Sequence, residues 1–191
     1  FLNVTGVRLF NSLNLTMTLV SGGGFLPSDN LSEIILNNFQ KIILIFLLCL
    51  SMLNFYFIFN IFNKKKLTKD HKEDFYLLVL SSILILLIYF NSFDGLNIII
   101  SVLSSLSNSG ITLLNSDNNL SLYFLFITII GGSLISNTSG IKLTRLYILL
   151  KITSAEIIKL ISPNSIVNKS IFSSEKKISD DNIRVSFLIF I

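Results

Sequence analysis

The chain has 191 residues, of which 51% are hydrophobic and only 14% charged, with a mean hydropathy of +0.74. A soluble domain of this size cannot hide so much apolar surface, so the composition excludes an ordinary water-soluble enzyme and points to a bilayer as solvent. The net charge of +4 is confined to a few loops, and the lone cysteine, Cys49, sits in an apolar run where neither a disulfide nor a metal site is expected.

The first outward stretch is "FNSLNLTMTLVSGGGFLPSDN", residues 10 to 30. It combines a helix-compatible arm, three glycines and a polar patch. Residues 42 to 62, "IILIFLLCLSMLNFYFIFNIF", follow and are long enough to cross a bilayer as one helix. The next segment, "NKKKLTKDHKED", carries five lysines and is predicted to stay in the cytoplasm. His71 lies in this segment and reads as a solvated loop residue. "FYLLVLSSILILLIYF", 75 to 90, is a second span.

The second outward stretch, "FDGLNIIISVLSSLSNSGITLLNSDNN" at 93 to 119, resembles the first. Both open F-[ND]-x-L-N, and both end in small residues, a glycine and then Ser-Asp-Asn. The offset is 83 at Phe10/Phe93 and 86 at Gly24/Gly110, which places three extra residues in the second helical arm. Repeats in a membrane protein imply pseudo-symmetry around a shared site. A helical arm of about fourteen residues covers about 21 Å, short of the roughly 30 Å hydrocarbon core. Such arms are expected to dip in and return through backbone that is buried or lines water. Glycines there let successive carbonyls face one axis and replace a cation's hydration shell. The candidate ion-binding backbone is Ser21, Gly22, Gly23 and Gly24, with Asn108, Ser109 and Gly110. No cofactor is expected.

A third span, 120 to 150, is interrupted by "IIGGSLISNTSGIKLTR", and "IRVSFLIFI" begins a fourth. Polar backbone at membrane depth is tolerated beside an aqueous cavity, or where small residues let helices pack closely. The basic residues that follow, Lys142, Arg145, Lys151, Lys159, Lys169, Lys176 and Lys177, put this end on the cytoplasmic side. Alternation with apolar spans argues against nucleic acid as the basic residues' partner. Docking of 151 to 169 on the inner leaflet or on a cytosolic protein fits better. The spans as drawn hold no Asp, Glu or His, so a membrane enzyme is disfavoured. A small-solute or Na⁺ transporter binding at 131 to 140, or a non-conducting membrane subunit, are the competing functions. The chain begins without Met and stops within an apolar run, so both ends are expected to be cut from a longer protein.

These residues resemble the TrkH/KtrB/HKT superfamily of potassium transporters. "FNSLNLTMTLVSGGGF" is similar to that family's pore helix ending in x-G-G-F, and "SVLSSLSNSGITLLNSD" to the next, ending in T-A-G-F. "IIGGSLISNTSGIKLTRLYILLK" resembles, without a gap, its F-I-G-G-C-x-G-S-T-G-G-G-x-K-x-x-R-x-x-x-L-x-K stretch, and "LISPNSIV" resembles H-P-N-A-V. The resemblance implies an all-α membrane protein of membrane–pore loop–membrane repeats, with re-entrant pore helices and pseudo-fourfold symmetry in the full-length protein. Residues 1–62 would end the second repeat, 63–74 form a cytoplasmic basic loop and 75–150 the third repeat. A cytoplasmic segment at 151–181 and the start of the fourth repeat at 182–191 would follow. It implies K⁺ as the transported ion, a multi-pass location in the cell (inner) membrane, a homodimer and a cytosolic nucleotide-binding regulatory subunit of the TrkA/KtrA kind. It also implies an intramembrane gate loop made of Gly131, Gly132, Ser136, Asn137, Thr138, Ser139 and Gly140, with Lys142 and Arg145 at its exit. Ile135, Thr138 and Ser139 stand where the family has glycines, so a stiffer loop is expected. Ile111 replaces the family's usual Phe and Ser109 its common Ala.

Overall fold

The computed structural model describes residues 2–28, 30–62, 71–90, 95–113, 118–162, 170–172 and 178–188. The lysine run at 63–70, Phe93, the polar patch at 114–117, residues 163–169, Lys176, Lys177 and the last three residues lie outside them. Among the described residues there are eight α-helices: α1 (Leu9–Ser21), α2 (Asn38–Met52), α3 (Phe55–Phe62), α4 (Lys72–Tyr89), α5 (Gly95–Ser107), α6 (Asn118–Ile129), α7 (Leu143–Ile161) and α8 (Asp180–Leu188).

The short helix α5 is the centre of the fold. Every residue from Ile100 to Ser107 is buried, and α2, α4 and α6 pack around it. Four of the buried positions are serines, whose small side chains allow close helix approach. Three of them return their hydroxyls to the helix itself: Ser101 donates to the Asn97 carbonyl at 2.9 Å, Ser105 to the Ser101 carbonyl at 2.8 Å and Ser107 to the Ser104 carbonyl at 3.2 Å. Helix α2 buries Gln40, Leu44, Leu48 and Met52, one residue per turn, which is the spacing of a single helix face. The opposite face, with Phe39, Ile42 and Phe46, is exposed. Exposed apolar residues also cover the outer sides of α4 and α6, and apolar surface on this scale marks a membrane or a partner.

The expected span at 42–62 is not one helix. It bends by 112° between α2 and α3. There is no proline or glycine at the break, but Asn54 supplies a helix start: its side-chain oxygen accepts the Tyr56 amide at 2.8 Å, the usual role of Asn at a helix N-terminus. Among the described residues no single helix is long and apolar enough to cross a membrane, whereas the α2–α3 pair passes by length and composition. The second span, α4, begins earlier than expected, at Lys72, and carries Glu73 and Asp74 in its first turn. Carboxylates there meet the positive end of the helix dipole.

Helices α1 and α5 are each 13 residues long and lie 86 positions apart at both ends. The three additional residues of the second copy therefore do not fall between Gly95 and Ser107. Leu48 is fully buried on the α5-facing side of α2. Leu48→Ala should lower stability by about 2–5 kcal/mol, read as the thermal midpoint of the detergent-solubilised complete protein, while Phe46→Ala on the exposed face should change it far less.

Candidate functional site

The two glycine-bearing returns share one backbone conformation. Gly22 ends α1 at φ +65° and its counterpart Asn108 ends α5 at φ +56°; Gly24 and Gly110 follow at φ +70° and +67°. Asn is one of the few residues that enter this left-handed region readily, so it can stand in for glycine at 108. The returns touch. A Cβ placed on Gly110 would lie 3.7 Å from the Gly24 Cα, and one on Gly24 would lie 3.0 Å from the Ser109 carbonyl oxygen. Glycine is thus required at 24 by both dihedral and space.

Each return is braced by a hydroxyl seven residues upstream of the residue after its second left-handed position. In the first copy Thr18 donates its hydroxyl to the Phe25 carbonyl. In the second the Ile111 amide donates to the Ser104 hydroxyl at 2.7 Å. Ser104 and Ser107 also lie 3.0 and 3.1 Å from the Ser109 hydroxyl, giving the second return a buried serine cluster. Ile111, at the position where the resembled family has Phe, is completely buried behind it.

The interrupted span is a closed side loop. The chain passes from α6 to α7 through a single parallel bridge, Ile130 to Ile141, held by Gly131 N–H to the Ile141 carbonyl at 2.8 Å and Ile141 N–H to the Ile129 carbonyl at 3.0 Å. Residues 131 to 140 bud out between these points and return. At Gly131 a Cβ would collide with the Ser139 carbonyl oxygen, and at Gly132 it would lie 2.6 Å from the Met52 carbonyl oxygen. Thr138, one of the non-glycine positions, is a tie: its hydroxyl accepts the Gly132 amide at 2.8 Å and lies 2.9 Å from the Ser136 hydroxyl. Lys142 closes the loop, donating from Nζ to the Ser136 carbonyl at 3.1 Å and to the Thr138 carbonyl. Arg145 follows one turn along α7, half-buried, and Asn137 is exposed at the tip. The loop meets the returns directly: Asn108 Nδ2 donates to the Ser139 carbonyl at 3.1 Å, and a Cβ on Gly140 would lie 3.0 Å from that same nitrogen.

The whole chain superposes on the crystal structure of the potassium transporter TrkH from Vibrio parahaemolyticus with a TM-score of 0.81, covering 98% of this chain and 43% of that one at 17% identity. The chain is TrkH-like in fold. The all-α architecture with re-entrant helices expected from the sequence motifs is therefore the observed one. In sequence it is 29% identical over 169 residues to an uncharacterized cation transporter, MJ1485, of Methanocaldococcus jannaschii. That alignment covers 87% of this chain and 35% of the relative, so the chain spans about a third of the curated protein it matches. No protein-family profile matches the chain.

Within this TrkH-like fold Gly22 and Gly24 lie against Ser107 to Gly110, and the 131–140 loop, held by Lys142, bonds to Asn108; among the described residues Arg145 bonds to neither. The structure also adds three residues that were missed. His71 is not a solvated loop residue; it is 7% exposed, packed edge-on against Phe57 and 2.8 Å from the Asn60 side chain. Its Nδ1 lies 3.4 Å from Asp74, which is 1% exposed. Glu73 reaches the side loop itself, accepting the Leu134 amide at 2.9 Å and the Thr144 amide at 3.3 Å. All three sit in a charge-rich run whose alternation suggests a solvated face. The only sequence signal against that reading is that Glu73 and Asp74 abut the apolar run without a spacer.

Gly131→Ala should destabilise by about 1–3 kcal/mol, the usual cost of overpacking a tight site. Gly95→Ala, where the nearest atom lies 3.5 Å away, should leave the thermal midpoint unchanged or raise it.

Proposed function

We propose that the complete protein carrying this chain conducts K⁺ across the cell membrane, with the carbonyls of Ser21 to Gly24 and Asn108 to Gly110 forming two walls of its selectivity filter. The observation that carries this reading is the contact of the two returns at Gly24 and Gly110, in one repeated left-handed pattern, with the polar side loop bonded to them through Asn108. Two backbone hairpins in contact, with no side-chain carboxylate among Ser21 to Gly24 or Asn108 to Gly110, leave main-chain oxygens as the ligands, which suits a dehydrated monovalent cation. The relation to a potassium transporter fold and to a cation transporter supports the same class of cargo.

In this reading loop 131–140 is the gate. It lies beside the filter strand, its ends are pinned by the Ile130–Ile141 bridge, and Lys142 holds its carbonyls. Residues 1–62 supply the end of the second of four pore repeats, 75–150 the third and 182–191 the start of the fourth, and the remaining filter walls come from elsewhere in the complete protein. The basic segments face the cytoplasm, where they offer a docking surface to a nucleotide-binding regulatory subunit, and the complete protein pairs with itself in the lipid bilayer.

Gly110→Asp in the complete protein should abolish K⁺ or Rb⁺ uptake in a strain lacking other K⁺ uptake systems, with the amount in the membrane unchanged. Normal uptake by that variant would remove the filter assignment. Uptake that follows Asn137 and Thr138 substitutions and ignores Gly24 and Gly110 would move the site to the side loop and make the protein a solute carrier.

A further inference from the structure

The side loop and the α2–α3 bend are joined by their main chains. The Ser133 amide donates to the Met52 carbonyl at 3.0 Å, and the Phe55 amide donates to the Ile135 carbonyl at 3.1 Å. These are groups freed when the helix breaks at Leu53–Asn54, and the loop takes them up in place of the missing turn. A further amide of the break, that of Asn54, is taken by Asp74 Oδ1 at 2.9 Å. Glu73, the neighbouring residue, takes the loop's Leu134 amide and the Thr144 amide at the start of α7. Ser133 is fully buried, and its hydroxyl has no hydrogen-bond partner among the described residues.

We propose that Glu73 and Asp74 are a two-carboxylate latch that clamps the side loop to the α2–α3 bend, so that the loop leaves its present position only when this pair lets go. Glu73 holds the loop side and Asp74 the bend side, and both project from the first turn of α4, which keeps their spacing fixed. His71 extends the clamp: it faces Asp74 on one side and Asn60 of α3 on the other. Helix α3 is therefore fixed at Asn54 and at Asn60, and it leads straight into the basic stretch at 63. A pull on α3 from the cytoplasmic side acts on the bend, and through the Met52 and Phe55 bonds on the loop. Glu73 and Asp74 are positioning residues. Calling the released loop a gate rests on the transport reading; the latch itself does not.

The reporter is Ser133→Cys in the complete protein with Cys49 and every other native cysteine replaced, in native-like membranes. Ser133 is sealed in the latched state, so a water-soluble maleimide should label it slowly. Adding Glu73→Ala should speed labelling by about tenfold or more, because the Leu134 and Thr144 amides lose their shared acceptor. Glu73→Gln keeps an acceptor oxygen for the same amides and should release the loop clearly less than Glu73→Ala does. If Glu73→Ala does not reach the membrane, Glu73→Asp, one methylene too short to reach both amides, carries the same test. Equal labelling of parent and Glu73→Ala, or release by Gln as large as by Ala, overturns the latch. Rb⁺ flux measured alongside should rise with Glu73→Ala. A parent protein that passes no Rb⁺ sinks the transport reading, while the labelling rates still judge the latch.

Discussion

A helix that breaks away from water must find new partners for the backbone groups it releases, because an unpaired amide or carbonyl in an apolar surrounding costs more than most side-chain contacts return. This chain breaks two helices, at Leu53–Asn54 and between Ile129 and Leu143, and it brings the breaks together. Met52 and Phe55 bond to Ser133 and Ile135, so each break completes the other's hydrogen bonding. The rest of the arrangement follows from that pairing. Gly132 must be glycine because the Met52 carbonyl occupies the space of a side chain. Thr138 and Lys142 are needed because the loop's inner groups are out of reach of both breaks.

The two returns solve the same problem differently. They are short, they are repeated, and hydroxyls from their own helices satisfy them. Thr18 and Ser104 occupy equivalent places, yet one donates and the other accepts. A hydroxyl can do both, which makes it a suitable brace for a backbone whose exposed polarity differs between copies. The cost is carried by α5, which buries a row of serines at the centre of the fold and makes up for it with close packing against α2.

The glycines and the repeat were legible because they answer backbone demands that few other residues meet. A 13-residue helix followed by left-handed positions at fixed offsets leaves a trace in sequence at Gly24 and Gly110 and a weaker one at Asn108. The side loop was legible for a similar reason: a polar interval within an apolar run needs an explanation. The 112° bend was not. Nothing in "SMLNFYF" is forbidden in a straight helix, and the reason for bending lies in a loop eighty residues away. His71, Glu73 and Asp74 were hidden for the opposite cause. Their neighbours are lysines, and a charged run reads as solvated unless the fold turns part of it inward. Both failures concern long-range pairing, which local periodicity does not record.

The joined breaks also say something about inheritance. Two segments that finish one another's hydrogen bonds cannot be exchanged singly between related chains, since a foreign loop would meet the wrong bend. Natural recombination or laboratory chimaeras with a junction between α3 and α6 would separate the partners, whereas junctions before α2 or after the first turn of α7 would transplant them as one piece. The stretch from Asn38 to Thr144 is in that sense a single heritable part.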